Sequence, residues 1–103
     1  MEFIETPVFF KESRILLKDE GVRYLQTVLL LYPALGAAIP GTGGLRKLRR
    51  VSSSKGKRGG LRIIYYWLTD DHKIFLLFVY KKSKQEELTS DQLKYLKSLI
   101  MEK

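Results

Sequence analysis

Five of the nine residues from 36 to 44 are glycine or proline: Gly36, Pro40, Gly41, Gly43 and Gly44. Backbone that lacks a Cβ at so many points, or is locked at one φ, makes turns and not regular structure. The stretch divides the chain into two parts with different patterning. Before it, apolar residues recur at helical spacing; after it, they gather in short runs rich in β-branched and aromatic side chains.

In the first part, residues 2–6 alternate around Phe3 and Ile4 and predict a short strand. Pro7 suits the first turn of a helix, where its missing N–H costs little, with Phe9, Phe10, Ile15, Leu16 and Leu17 available for burial. Lys18-Asp19-Glu20-Gly21 interrupts that pattern. A second helix is expected over 20–32, burying Val22, Leu25, Val28, Leu29 and Leu31 and ending before Pro33. The two form a helical hairpin.

In the second part, residues 45–51 read as a short charged strand, 61–68 as a strand rich in Ile, Tyr and Trp, and 73–80 as a strongly apolar one. Thr69-Asp70-Asp71-His72 is the turn of a hairpin. Residues 52–60 are Ser, Lys, Gly and Arg alone, too polar to pack, and predict a flexible basic loop. Thr89 and Gln92 form a capping-box pattern that opens a helix over 89–103, with Leu93, Leu96 and Ile100 on its apolar side. The expected order is β-α-α-β-β-β-α, an α+β fold in one domain over residues 1–103, with no internal repeat.

Charge is distributed unevenly. The 19 Lys and Arg against 11 Asp and Glu give a formal net charge of +8, which attracts polyanions. No acidic residue occurs between 21 and 69, and into that window fall Arg46, Lys47, Arg49, Arg50, Lys55, Lys57, Arg58 and Arg62. A phosphate backbone there meets several cations within one Debye length of ~8 Å. Nucleic acid is the leading partner class. The absence of cysteine removes disulfides, thiolate nucleophiles and thiolate metal sites. With no signal-peptide pattern at the start and no apolar run of the ~18 residues needed to span a bilayer, a soluble, unprocessed, cytoplasmic protein without membrane partners is expected.

Strand alternation sharpens the charge pattern. Lys47 and Arg49 project together, Tyr80 and Lys82 share a side, and Arg62 shares its side with Ile64 and Tyr66. If the three strands pair, Lys47, Arg49, Arg62, Tyr80 and Lys82 converge on one face. Arg46, Arg50, Lys55, Lys57 and Arg58 are expected to hold a nucleic-acid backbone. His72, beside two acids in a turn, reads as a surface residue. Asp70 and Asp71 are adjacent and not spaced around a cage, so neither a metal nor a cofactor is expected. The Gly41-x-Gly43-Gly44 turn precedes a strand and does not open a helix after one, which sets it apart from a nucleotide-binding loop. Of Tyr65, Tyr66 and Trp67, alternation sends at least Tyr65 or Trp67 to the core.

Three blocks, GTGGLRKLRR, GKRGGLRIIYYWL and FLLFVYKKSK, resemble the RelE/ParE superfamily of toxin–antitoxin toxins, most closely its HigB-like branch. The likeness covers nearly the whole chain. It implies an α/β toxin that cuts translated mRNA in the ribosomal A site. It also implies a cognate antitoxin, often a HigA-like helix-turn-helix protein through which operator DNA is contacted. On this resemblance Lys47 and Arg49 match the paired basic positions of one strand, Arg62 the arginine opening the next, and Lys82 the basic residue after the last. Tyr80 stands where the HigB-like branch often has an aromatic, and Leu88 stands near the position of a tyrosine in RelE members.

Such enzymes drive the 2′-OH onto the adjacent phosphate, leaving a 2′,3′-cyclic phosphate and a 5′-OH. The reaction requires a proton removed, charge stabilised on phosphate oxygens and a leaving oxygen protonated. Clustered cations do the second, and like-charge repulsion makes Lys47 or Lys82 a candidate base. Arg62 is the candidate phosphate clamp, and Tyr80 a group that stacks, orients or relays a proton. A ParE-like gyrase poison and a noncatalytic nucleic-acid-binding module are the competing readings.

Overall fold

The computed structural model describes residues 1–49 and 60–101. Eight elements follow in order: β1 (Glu2–Glu5), α1 (Pro7–Leu16), α2 (Lys18–Leu31), β2 (Ala37–Ala38), β3 (Leu45–Arg49), β4 (Leu61–Leu68), β5 (Lys73–Lys81) and α3 (Ser90–Met101). The strands form one sheet in the order β1-β5-β4-β3-β2. β1 runs parallel to β5, and every other neighbouring pair is antiparallel.

The elements end where local chemistry ends them. Thr6 caps α1, its Oγ1 accepting from the Phe9 N–H at 3.0 Å and donating to the Leu77 carbonyl at 2.8 Å, so one hydroxyl ties the helix start to β5. Pro7 fills the first helical position as expected. The α3 cap is the reciprocal one read from sequence: Gln92 N–H donates to Thr89 Oγ1 at 3.1 Å and Thr89 N–H to Gln92 Oε1 at 2.9 Å. The β4–β5 hairpin closes through a 3₁₀ turn, Thr69–Asp71, and His72 at φ 55°.

Alternation in the three long strands divides the core between two faces of the sheet. Leu48, Ile63, Tyr65, Ile74, Leu76 and Val79 pack with Phe9, Leu25 and Leu29 of the helical hairpin. Leu45, Ile64, Phe75, Leu77 and Tyr80 pack with Leu96 and Ile100 of α3. At roughly 1.5–3 kcal/mol for each large side chain fully buried, these two clusters are the main favourable term in folding. A bulge where Ile64 pairs with Phe78 but Tyr65 with Leu76 leaves Leu77 as the extra residue and lets both faces stay apolar.

Three features depart from expectation. The first helix stops before Lys18, as the pattern expected, but the second begins at Lys18 and not at residue 20, with Lys18 at φ 63° turning the chain between the helices. Phe10, Ile15 and Leu31 are exposed; the Phe10 ring lies 4.3 Å beneath the Arg14 guanidinium. The two-residue β2 and the parallel docking of β1 were not foreseen. The expected basic loop, residues 52–59, lies outside the described residues, as does Val51.

The turn-rich stretch is fastened by Tyr65. Its hydroxyl donates to the Pro33 carbonyl at 2.8 Å and accepts from the Gly36 N–H at 2.9 Å. A Cβ on Gly36 would stand 2.8 Å from the Tyr65 ring and 3.1 Å from the Lys47 carbonyl, so only glycine lets the chain pass. Tyr65→Phe is expected to lower unfolding free energy by about 1–3 kcal/mol by stranding those groups, and Gly36→Ala by at least as much, measured by urea denaturation.

Candidate active site

β3, β4 and β5 bring three of the candidate residues into one row. Arg49 is the register partner of Arg62, and Arg62 of Tyr80. Directly paired residues of antiparallel neighbours project to the same face, with Cβ atoms ~4.5–5.5 Å apart. The three side chains therefore spring from one line across the sheet, on the face that carries α3. Lys47, two residues before Arg49 and paired with Ile64, joins them on that face.

The row is graded in depth. Arg49 is exposed and Lys47 half-buried, whereas Arg62 and Tyr80 are 6% and 5% exposed. Arginine is rarely buried so far without partners, and Arg62 Nη1 donates to the Leu61 carbonyl at 3.2 Å. Two guanidinium side chains placed opposite one another disfavour their own pairing, and an anion between them reverses the sign.

Tyr80 lies at the floor. Its hydroxyl is buried and has no hydrogen-bond partner among the described residues. Burial pushes its pKa above the ordinary phenol value; the Glu87 carboxylate adds to this, and Arg62 and Arg49 oppose it. The group is a neutral phenol at physiological pH: a hydrogen-bond donor, not a phenolate.

Lys47 is not surrounded by cations alone. Its Nζ lies 3.4 Å from Glu87 Oε1, with side chains 15% and 75% exposed respectively. So exposed a bridge contributes at most about 1 kcal/mol, but it shows that an anion fits beside Lys47. Glu87 was missed from sequence because acids after β5 fall outside the basic window. The available signal was the Glu86-Glu87 pair a few residues past the last strand. Lys82 lies one residue past β5, exposed, its N–H held 2.7 Å from the Gly60 carbonyl, which keeps it at this end of the sheet.

Arg46 and His72 are placed elsewhere. Arg46 alternates to the opposite face, where its Nη1 donates to the carbonyls of Gly36 at 2.6 Å and Ala34 at 3.2 Å; its observed contacts fasten the turn. Arg50, Lys55, Lys57 and Arg58 lie outside the described residues. His72 is exposed at the other end of β4 and β5, its carbonyl accepting from Glu2 N–H at 2.9 Å. Tyr65 and Trp67 face the helical hairpin, consistent with a core role. Among the described residues, no group of three His, Cys, Asp or Glu is placed to hold a metal ion, and no helix is long and apolar enough to cross a membrane. An apolar cleft lined by Val8, Phe78, Gln92, Tyr95 and Leu96 lies between α1 and α3, without a charged side chain in its lining.

Two predictions separate these roles. Arg46→Ala is expected to destabilise the fold by about 1 kcal/mol or more through its lost carbonyl contacts, and Arg49→Ala to leave stability within about 0.5 kcal/mol, read from denaturation midpoints. In an ultraviolet titration of phenolate absorbance, Tyr80→Phe should remove a component ionising later than a free tyrosine. The folded pKa is raised, so stability from keeping this phenol neutral is present below the ordinary value of 10.0 and lost as pH rises above it.

No protein-family model matches the chain. Among solved structures, a mutant of the E. coli toxin RelE in the free state superposes with a TM-score of 0.64, at 20% sequence identity, covering 92% of this chain and 96% of that one. The architecture described above, a mixed five-stranded sheet between a helical hairpin and a C-terminal helix, is therefore the RelE fold.

Proposed function

We propose that this chain is the toxin of a type II toxin–antitoxin system, a ribosome-dependent mRNA endonuclease of the RelE superfamily and its HigB-like branch. The observation that supports the reading best is the cross-strand row Arg49–Arg62–Tyr80 with Lys47 on the same face. A gyrase poison has no need to gather cations around a phosphodiester. A noncatalytic RNA-binding surface has no need of a buried arginine and a neutral phenol beneath its exposed cations.

In this reading the scissile phosphate enters from the Arg49 and Lys47 rim toward Arg62. Its non-bridging oxygens gain negative charge as the 2′ oxygen attacks, and the guanidinium groups stabilise that charge, each contributing about 10²–10³ in rate. Arg62 presents the planar fork that matches two phosphate oxygens, held by burial and by the Leu61 carbonyl. Tyr80, whose oxygen is covered in this structure, orients the groups above it as a donor. Lys82 at the end of the sheet steers the RNA backbone, and Arg50, Lys55, Lys57 and Arg58 add cations that bind it. The chemistry proposed uses neither metal nor cofactor.

The partners follow from the same reading. They are translating ribosomes and mRNA in the cytoplasm, and a cognate HigA-like helix-turn-helix antitoxin, with operator DNA reached only through that antitoxin.

Primer extension on mRNA after brief induction tests the proposal. Cuts inside translated frames, lost when translation is blocked, are expected. Intact mRNA with double-strand DNA breaks would replace this reading with gyrase poisoning. Arg62→Lys, which keeps the charge but not the fork, is expected to lower cleavage by about 10²-fold with a native melting curve. Wild-type cleavage in that variant and in Arg62→Ala would remove Arg62 from the site.

A further inference from the structure

The proposed cleavage needs a group that takes the 2′-OH proton, and the residues gathered by the sheet are poor at it. A guanidinium stays protonated, which excludes Arg49 and Arg62. Tyr80 is a phenol held in its neutral form. Lys47 has a carboxylate beside its ammonium, and His72 is at the other end of the hairpin. Glu87 brings a carboxylate into the cluster, its Oε1 3.4 Å from Lys47 Nζ.

We propose that Glu87 is the general base of this site, positioned by Gln85 and Gln92 and oriented by Lys47. The inference rests on the reading of the chain as an RNA-cleaving enzyme.

The segment carrying Glu87 is fastened on both sides. Gln85 Nε2 donates to the Glu87 carbonyl at 2.9 Å and to Gln92 Oε1 at 2.8 Å, and Gln92 Oε1 also accepts from the Thr89 N–H at 2.9 Å. The α3 capping box thus reaches back to hold the backbone of residues 85–89. Before it, the N–H groups of Lys84 and Gln85 return to the Lys81 carbonyl, anchoring the segment to the end of β5. The backbone of Glu87 is held while its carboxylate, 75% exposed, remains accessible to RNA. Lys47 contacts the carboxylate directly; Arg49, Arg62, Tyr80 and Glu86 are the other charged or titratable groups of the cluster that it joins.

The step balances without a further reagent. The 2′ oxygen forms its bond to phosphorus as its proton passes to the Glu87 carboxylate. The bond from phosphorus to the 5′ oxygen breaks, and that oxygen takes a proton from water. The products are a 2′,3′-cyclic phosphate and a 5′-OH, and Glu87 returns its proton to the hydroxide left in solvent. Lys47 keeps the carboxylate turned toward the phosphate and adds positive charge beside it.

The test compares wild type, Glu87→Gln and Glu87→Asp in single-turnover cleavage of ribosome-bound mRNA across pH. Binding of the same RNA with a 2′-deoxy nucleotide at the cut is measured in parallel. For wild type the rate is expected to fall about tenfold per pH unit on the acid side. Glu87→Gln should cleave about 10²–10⁴-fold more slowly, lose that acid limb and bind the 2′-deoxy RNA at least as tightly. Glu87→Asp should keep the limb and part of the rate. Wild-type cleavage by Glu87→Gln, faster cleavage by it, or a rate loss matched by lost binding would each overturn the assignment alone. Wild type that cleaves no RNA would overturn the nuclease reading and this inference together.

Discussion

Side-chain alternation along β4, paired on both flanks, is the constraint from which the rest of the molecule follows. Ile63, Tyr65 and Trp67 are committed to the helical hairpin, and Ile64 and Tyr66 to the α3 face. Arg62 is then obliged to face α3 as well, because it is two residues from Ile64. A slip of one residue would expose both cores and send the guanidinium to the wrong face, so apolar burial enforces the register that places the charge. The folding energy of the sheet and the geometry of the site are the same arrangement viewed twice.

That coupling explains how a protein of 103 residues holds cations close together. Each of the three strands contributes one member to the Arg49–Arg62–Tyr80 row, and each strand is anchored by large apolar residues adjacent to its polar one. Repulsion between neighbouring guanidinium groups is small against the burial of Ile63, Ile64 and Val79 around them. The rim is left exposed where a polyanion can approach, and the floor is a phenol kept neutral by its surroundings. An arrangement of this kind stabilises charge that develops on a bound phosphate more than charge in water, because its dipoles and cations are already in place.

Much of this was legible in the sequence for physical reasons. The capping box at Thr89 and Gln92, Pro7 at a helix start and the turn at Asp70 and Asp71 are local signals, and local signals survive in the fold. So did the pairing of the sides of Lys47 and Arg49, which depends only on period two. What could not be read depends on distant partners. β2 is two residues of alanine whose strand character comes wholly from β3. β1 docks in parallel beside β5 across most of the chain. Arg46 sits beside Lys47 of the cluster, yet alternation turns it to carbonyls of the 33–36 turn. Glu87 reaches Lys47 across 40 positions through a segment whose path is set by Gln85 and Gln92, so the Glu86-Glu87 pair was visible but its contact was not.

The central claim is that the α3 face, at the end where β3 and β5 finish, receives RNA. Backbone amide chemical shifts, followed as a short uncleavable 2′-O-methyl RNA is added, test it most directly. The account predicts that shifts gather at Lys47, Arg49, Arg62, Tyr80, Lys82 and the Glu87 segment, and that α1 and α2 stay unmoved. Shifts confined to the helical hairpin, with the Arg49–Arg62–Tyr80 row unaffected at saturation, would contradict it.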